Sequence, residues 1–80
     1  PDKVAREKIL TLLLENKKTD KTIDIKDIAK KTIYFSGAML DSLVNEASII
    51  AIKDNKEEIN ITHIDKAYLK ILAGDEKKDK

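Results

Sequence analysis

From Asp2 the apolar residues Val4, Ala5, Ile9, Leu12 and Leu13 recur at the three- and four-residue spacing of one helix face, and Leu10 and Leu14 widen the stripe. Pro1 and Asp2 suit the start of that helix, because proline presets a helical φ and a carboxylate is favoured at the positive end of the helix dipole. The polar run Asn16-Lys17-Lys18-Thr19-Asp20-Lys21 breaks the pattern and reads as a solvated loop. A short second helix is predicted behind Asp24, with Ile25, Ile28 and Ala29 as its apolar face and its end near Lys31-Thr32. Ser36 is the next N-cap, followed by the seam Leu40, Leu43, Val44, Ala47 and Ala51, flanked by Ile49, Ile50 and Ile52. This third helix is expected to be the longest and the most buried, ending at Asp54-Asn55-Lys56. Ile59-Asn60-Ile61 alternates like a few extended residues. Thr62 and Asp65 have the spacing of a capping box, with Asp in place of the usual Glu. Behind them Ile64, Ala67, Tyr68, Ile71 and Leu72 keep one helix face, with Gly74 as its terminator. Residues 75–80 carry no apolar side chain and read as a charged linker, so the expected folded unit is residues 1–74.

The pattern is therefore all-α: four helices, short second and long central third, in one small bundle. A chain of 80 residues has room for one core. Two glycines, a lone proline at position 1 and 4% aromatic residues argue against a sandwich or barrel.

Charge and composition remove several functions. Sixteen Lys and Arg stand against 15 Asp and Glu, interleaved along the chain, so no clustered basic footprint exists and no nucleic-acid partner is expected. With no cysteine, there is no disulfide, thiolate metal site or cysteine nucleophile, which fits a reducing compartment. Leu12-Leu13-Leu14 and Ile49-Ile50-Ala51-Ile52 are far shorter than the roughly 20 residues of a membrane helix, so a soluble segment without direct membrane contact is expected. Pro1-Asp2-Lys3 is no signal peptide. His63 is the single histidine, so zinc ligation of the usual kind is not possible, and one residue behind Thr62 it is expected to be exposed. A hydrolytic triad would need Ser36, Ser42 or Ser48 to meet His63 and a carboxylate in a rigid pocket. No G-x-x-x-x-G-K-[ST] loop is present. The chain by itself is not expected to be an enzyme.

Thr32-Ile33-Tyr34-Phe35-Ser36-Gly37-Ala38-Met39-Leu40, followed by Leu43-Val44-Asn45-Glu46-Ala47, is the most informative stretch. Phe35 is placed to staple the helix start against Leu40, and Gly37-Ala38 strips the first turn of bulk. Either another surface approaches that backbone, or a neighbouring helix of the same domain packs closely on it.

The string Phe-Ser-Gly-Ala-x-Leu-x-x-Leu-Val-Asn-Glu-Ala resembles the corresponding region of AAA ATPases. Its Leu-Val-Asn-Glu-Ala form resembles the FtsH family of membrane-anchored, ATP-dependent zinc metalloproteases in particular. The resemblance also takes in Pro1-Asp2 with Arg6-Glu7-Lys8-Ile9-Leu10, Ile23-Asp24-Ile25 with Ile28-Ala29, and Leu72-Ala73-Gly74 with Glu76-Lys77-Lys78. It implies the helical lid subdomain of the AAA+ module, beside the nucleotide held by the large subdomain and against the next subunit of a homohexameric ring. Gly37 and Ala38 would face adenine and ribose. Leu13 stands where the family commonly has a histidine that approaches the nucleotide, and it completes the implied cofactor-binding set. Ile33-Tyr34 replaces the family's common Pro-Gly, and Met39 its common Asp. Ala38 falls where many other AAA+ proteins carry a nucleotide-sensing arginine, so direct phosphate sensing is not implied.

The implied cofactors are ATP or ADP with magnesium, bound mainly by the large subdomain, and zinc in the protease domain only. None is expected to bind tightly to this segment. The implied location is the cytoplasmic side of the cell membrane, as part of the parent. A lid from another AAA machine, such as a proteasomal regulatory ATPase, and a histone-fold-like binding module are the alternatives; near-neutral charge stands against the second.

Overall fold

The computed structural model describes residues 1–78, with the side chains of residues 1–74. Helices α1 (Lys3–Leu14), α2 (Ile25–Lys31), α3 (Gly37–Lys53) and α4 (Ile61–Lys78) follow one another. The first three begin where a side-chain acceptor satisfies open backbone donors. Asp2 accepts from the Ala5 N–H at 2.8 Å, Asp24 from Lys26 and Asp27, and Ser36 Oγ from Met39 at 3.1 Å.

The fourth start differs from the expected Thr62 cap. Helix α4 begins at Ile61, and Asn60 caps it: its Oδ1 accepts from the His63 N–H and its own N–H donates to His63 Nδ1, both at 3.0 Å. This is the reciprocal geometry of a capping box, with an imidazole where Glu or Gln ordinarily stands. Asn is a stronger N-cap than Thr, and Thr22 Oγ1 accepts the Ile61 N–H at 2.9 Å, which fixes the earlier start from outside the segment. His63 thereby becomes the third helical residue, folded back over the first turn, and only 1% exposed. The expectation of a surface histidine is corrected.

Gly74 does not end α4, which runs to Lys78. A glycine terminator works through a left-handed φ, and no glycine here has one. Asp75–Lys78 therefore belong to α4, and residues 79–80 lie outside the described residues. At 18 residues α4 slightly exceeds the 17 of α3, which was expected to be the longest. The end of α3 matches expectation: Asn55 takes φ 58°, the Lys56 N–H reaches Ala51 O and the Asn55 N–H reaches Ile52 O. That is a Schellman ending with Asn at the left-handed position.

Helix α3 packs on both α1 and α4, and α2 packs on α1. The core joins Leu10 and Leu14 of α1, Ile28 and Ala29 of α2, Phe35, the α3 seam Leu40, Leu43, Val44, Ala47 and Ala51, Ile59, and Ile64 and Ala67 of α4. The loop expected to be merely solvated is tied down: Thr19 pairs with Ile59 in an isolated parallel bridge, with hydrogen bonds of 2.8 and 3.0 Å. Among the described residues no helix is long and apolar enough to cross a membrane.

Candidate functional site

The segment leading into α3 is anchored from the inside at alternate points. The Thr32 hydroxyl, fully buried, donates to Ile28 O at 2.9 Å and lies 3.3 Å from Ala29 O. Phe35 is buried and stacks on Tyr68 of α4, with ring centroids 5.5 Å apart and planes 8° from parallel. Between them Ile33 and Tyr34 point outward, Tyr34 being 94% exposed. The expected partner of Phe35, Leu40, belongs to the same buried cluster, while the stack on Tyr68 comes from a helix far away in sequence.

Gly37 and Ala38 then open α3. A Cβ on Gly37 would meet no atom within 4 Å, and Ala38 is exposed. Ser36 takes the Met39 N–H, so the N–H groups of Gly37 and Ala38 have no acceptor among the described residues. The turn thus presents two free donors, the positive end of a 17-residue helix and no side-chain bulk. Leu13 sits in the last turn of α1, half-buried and packed against the core cluster.

A buried cation underlies this region. Arg6 is 4% exposed, and its Nε and Nη2 donate to Ala29 O at 3.0 and 2.8 Å. Its Nη1 donates to Pro1 O at 3.1 Å and Ile33 O at 3.4 Å. Sequence reasoning missed this role, although Arg6, Leu10 and Leu14 lie four apart, the spacing that turns all three to one face.

Acid–base chemistry is not concentrated at the turn. Among the described residues the two carboxyls held below their usual range, Asp20 and Asp54, lie around His63. Asp54 stands 17 residues from Gly37, roughly 25 Å along α3. Among the described residues no group of three His, Asp or Glu side chains is placed to hold a metal ion.

Residues 22–66 match the AAA+ lid domain. Over all 80 residues the chain is 45% identical to the ATP-dependent zinc metalloprotease FtsH 1 of Alkaliphilus metalliredigens. It is 44% identical to FtsH of Mycoplasma genitalium and 41% to FtsH of Bacillus subtilis, again along its whole length. It spans 14%, 11% and 13% of those three proteins. The match sets aside the histone-fold-like reading. Four helices around an α3 seam, opened by Ser36-Gly37-Ala38, are those of an FtsH-like lid, and the chain belongs to the AAA+ lid domain family.

Proposed function

We propose that this chain is the nucleotide-facing lid of a membrane-anchored, ATP-dependent, FtsH-like zinc metalloprotease. It couples nucleotide state in the adjoining large ATPase subdomain to motion of a homohexameric ring that unfolds and degrades proteins. The observation that carries the reading is the Gly37-Ala38 turn: two small residues with open space where an internal packing partner would stand. The small residues Ala29, Ala47, Ala51 and Ala67 are buried in the core, so their size has an internal reason. At Gly37-Ala38 the reason lies outside this domain.

An adenine nucleotide fits this turn in part. Two free N–H donors and a flat, bulk-free backbone suit a ribose hydroxyl and the face of a base. Among the described residues nothing beside them wraps a triphosphate, and magnesium would find no cluster of acidic ligands. ATP held by the large subdomain supplies the phosphoryl-transfer free energy, while this chain covers base and sugar and moves with them. Leu13, half-buried in the last turn of α1, is assigned to the nucleotide's side by the family resemblance, and the exposed Ile33 and Tyr34 offer an apolar contact to the adjoining subdomain.

Ala38→Glu tests the reading. In the full-length protein it should raise the Michaelis constant for ATP through bulk and like charge near the phosphates. In the 80-residue chain it should cost no more than about 1 kcal/mol, because a carboxylate is tolerated in an open first turn. A loss of about 1–3 kcal/mol, as overpacking gives, together with an unchanged Michaelis constant would sink the assignment.

A further inference from the structure

Arg6 carries the strongest unexplained feature. Its guanidinium is buried without a carboxylate partner among the described ion pairs, and every hydrogen bond it makes ends on a backbone carbonyl. Burying a cation is expensive, and an apolar side chain would fill the same space without desolvating a charge. What the guanidinium adds is a rigid planar fork that holds several acceptors in a fixed relation. Here those acceptors come from three separate stretches: Pro1 ahead of α1, Ala29 in the last turn of α2, and Ile33 in the loop that leads to α3.

The remaining slack is small. Ala29 O also faces the Thr32 hydroxyl at 3.3 Å, and Phe35 is pinned by its stack on Tyr68, two residues before Gly37. We propose that Arg6 is a positioning residue that locks the Ile33 loop, and through it the Gly37-Ala38 turn, to the backbone at Pro1, so that the start of the domain and the turn move as one body. The proposal rests on the reading of that turn as nucleotide-facing. Arg6 itself touches no ligand in it.

Two variants separate positioning from bulk stability. Arg6→Lys keeps the charge and loses the fork, while Arg6→Gln keeps a planar donor head and loses the charge. In the 80-residue chain, exchange of the Phe35 amide, whose N–H donates to Thr32 O at 3.0 Å, should accelerate roughly tenfold while Ile64 and Ala67 in α4 stay protected. In the full-length protein the Michaelis constant for ATP should rise roughly threefold or more, with kcat less affected. Acceleration spread evenly over the chain, or none at Phe35, overturns the proposal. If Ala38→Glu raises the Michaelis constant and both Arg6 variants leave it unchanged, positioning fails and the nucleotide-facing reading stands. If none of the three raises it, that reading fails and takes this one with it. Should neither variant fold, the unsubstituted chain still decides: the Arg6 Nε–H should be protected from solvent exchange, and exchange at the rate of a free guanidinium overturns the proposal.

Discussion

His63 Nε2 lies 2.9 Å from Asp54 Oδ2, so the residue that closes α3 is held by a ring in the first turn of α4. Because Nδ1 accepts from the Asn60 N–H, the proton belongs on Nε2, and Asp54 is its acceptor. One buried imidazole thus bonds to both ends of the connection between the two helices.

This arrangement sets an acid dependence. The Asp54 carboxyl is held below its ordinary value chiefly by the His63 hydrogen bond, and the Asp20 carboxyl by bonds from the Thr22 hydroxyl and N–H. In the pH range between the lowered folded values and the ordinary carboxylate value, the unfolded chain binds more protons, so stability rises with pH there. The contribution is complete above the ordinary carboxylate range and is lost as pH falls through the folded values. Thermal midpoints between about pH 2 and pH 7 should drop below about pH 4, and Asp54→Asn and Asp20→Asn should each flatten part of that drop. An equally steep drop in the double variant contradicts this account.

The capping role of His63 makes a separate prediction about side-chain chemistry. His63→Ala deletes a buried ring and strips the Asn60 N–H of its acceptor, which should cost about 2–4 kcal/mol. His63→Gln keeps a reciprocal acceptor of the kind this motif ordinarily uses and should cost less than about 2 kcal/mol. Urea unfolding of the 80-residue chain reads both. Equal losses in the two variants would show that the ring acts by filling space and not by capping.

The features legible in the sequence are those decided within a few residues. Asp2, Asp24 and Ser36 cap helices through bonds two or three residues away, and the α3 seam is a direct reading of its spacing. At α4 the cap is Asn60 and not Thr62 two residues on, and the choice depends on Thr22 and Asp54, which lie 39 and 9 residues from their partners. The roles of Arg6 and Phe35 were illegible for the same reason: the main acceptor of Arg6, Ala29 O, lies 23 residues away and the ring that Phe35 stacks on, Tyr68, is in α4. Gly74 looked like a stop, but termination needs a left-handed φ that the helix never imposes on it. At the candidate site, Gly37-Ala38 announced a lack of bulk, while the open space beside it depends on how the helices pack around the start of α3.

The isolated chain should bind ATP weakly and not turn it over. Its turn offers two free backbone donors, each worth about 0.5–1.5 kcal/mol net in water, or up to about 3 kcal/mol against a charged acceptor. Ordering the nucleotide against one open surface consumes much of that gain, since binding also costs translational and rotational freedom. The surplus stays below the roughly 4 kcal/mol that corresponds to a dissociation constant near 1 mM. Titration with magnesium ATP, followed by amide chemical shifts, should therefore remain unsaturated at about 1 mM, with the largest shifts at Gly37 and Ala38. Phosphate release should stay at the buffer rate, because hydrolysis needs a phosphate-cradling loop and metal ligands that residues 1–74 do not assemble. Shifts concentrated around His63 at the far end of α3 would place the nucleotide elsewhere on the domain and remove Gly37-Ala38 from the site, while a micromolar dissociation constant would show contacts beyond the two free donors.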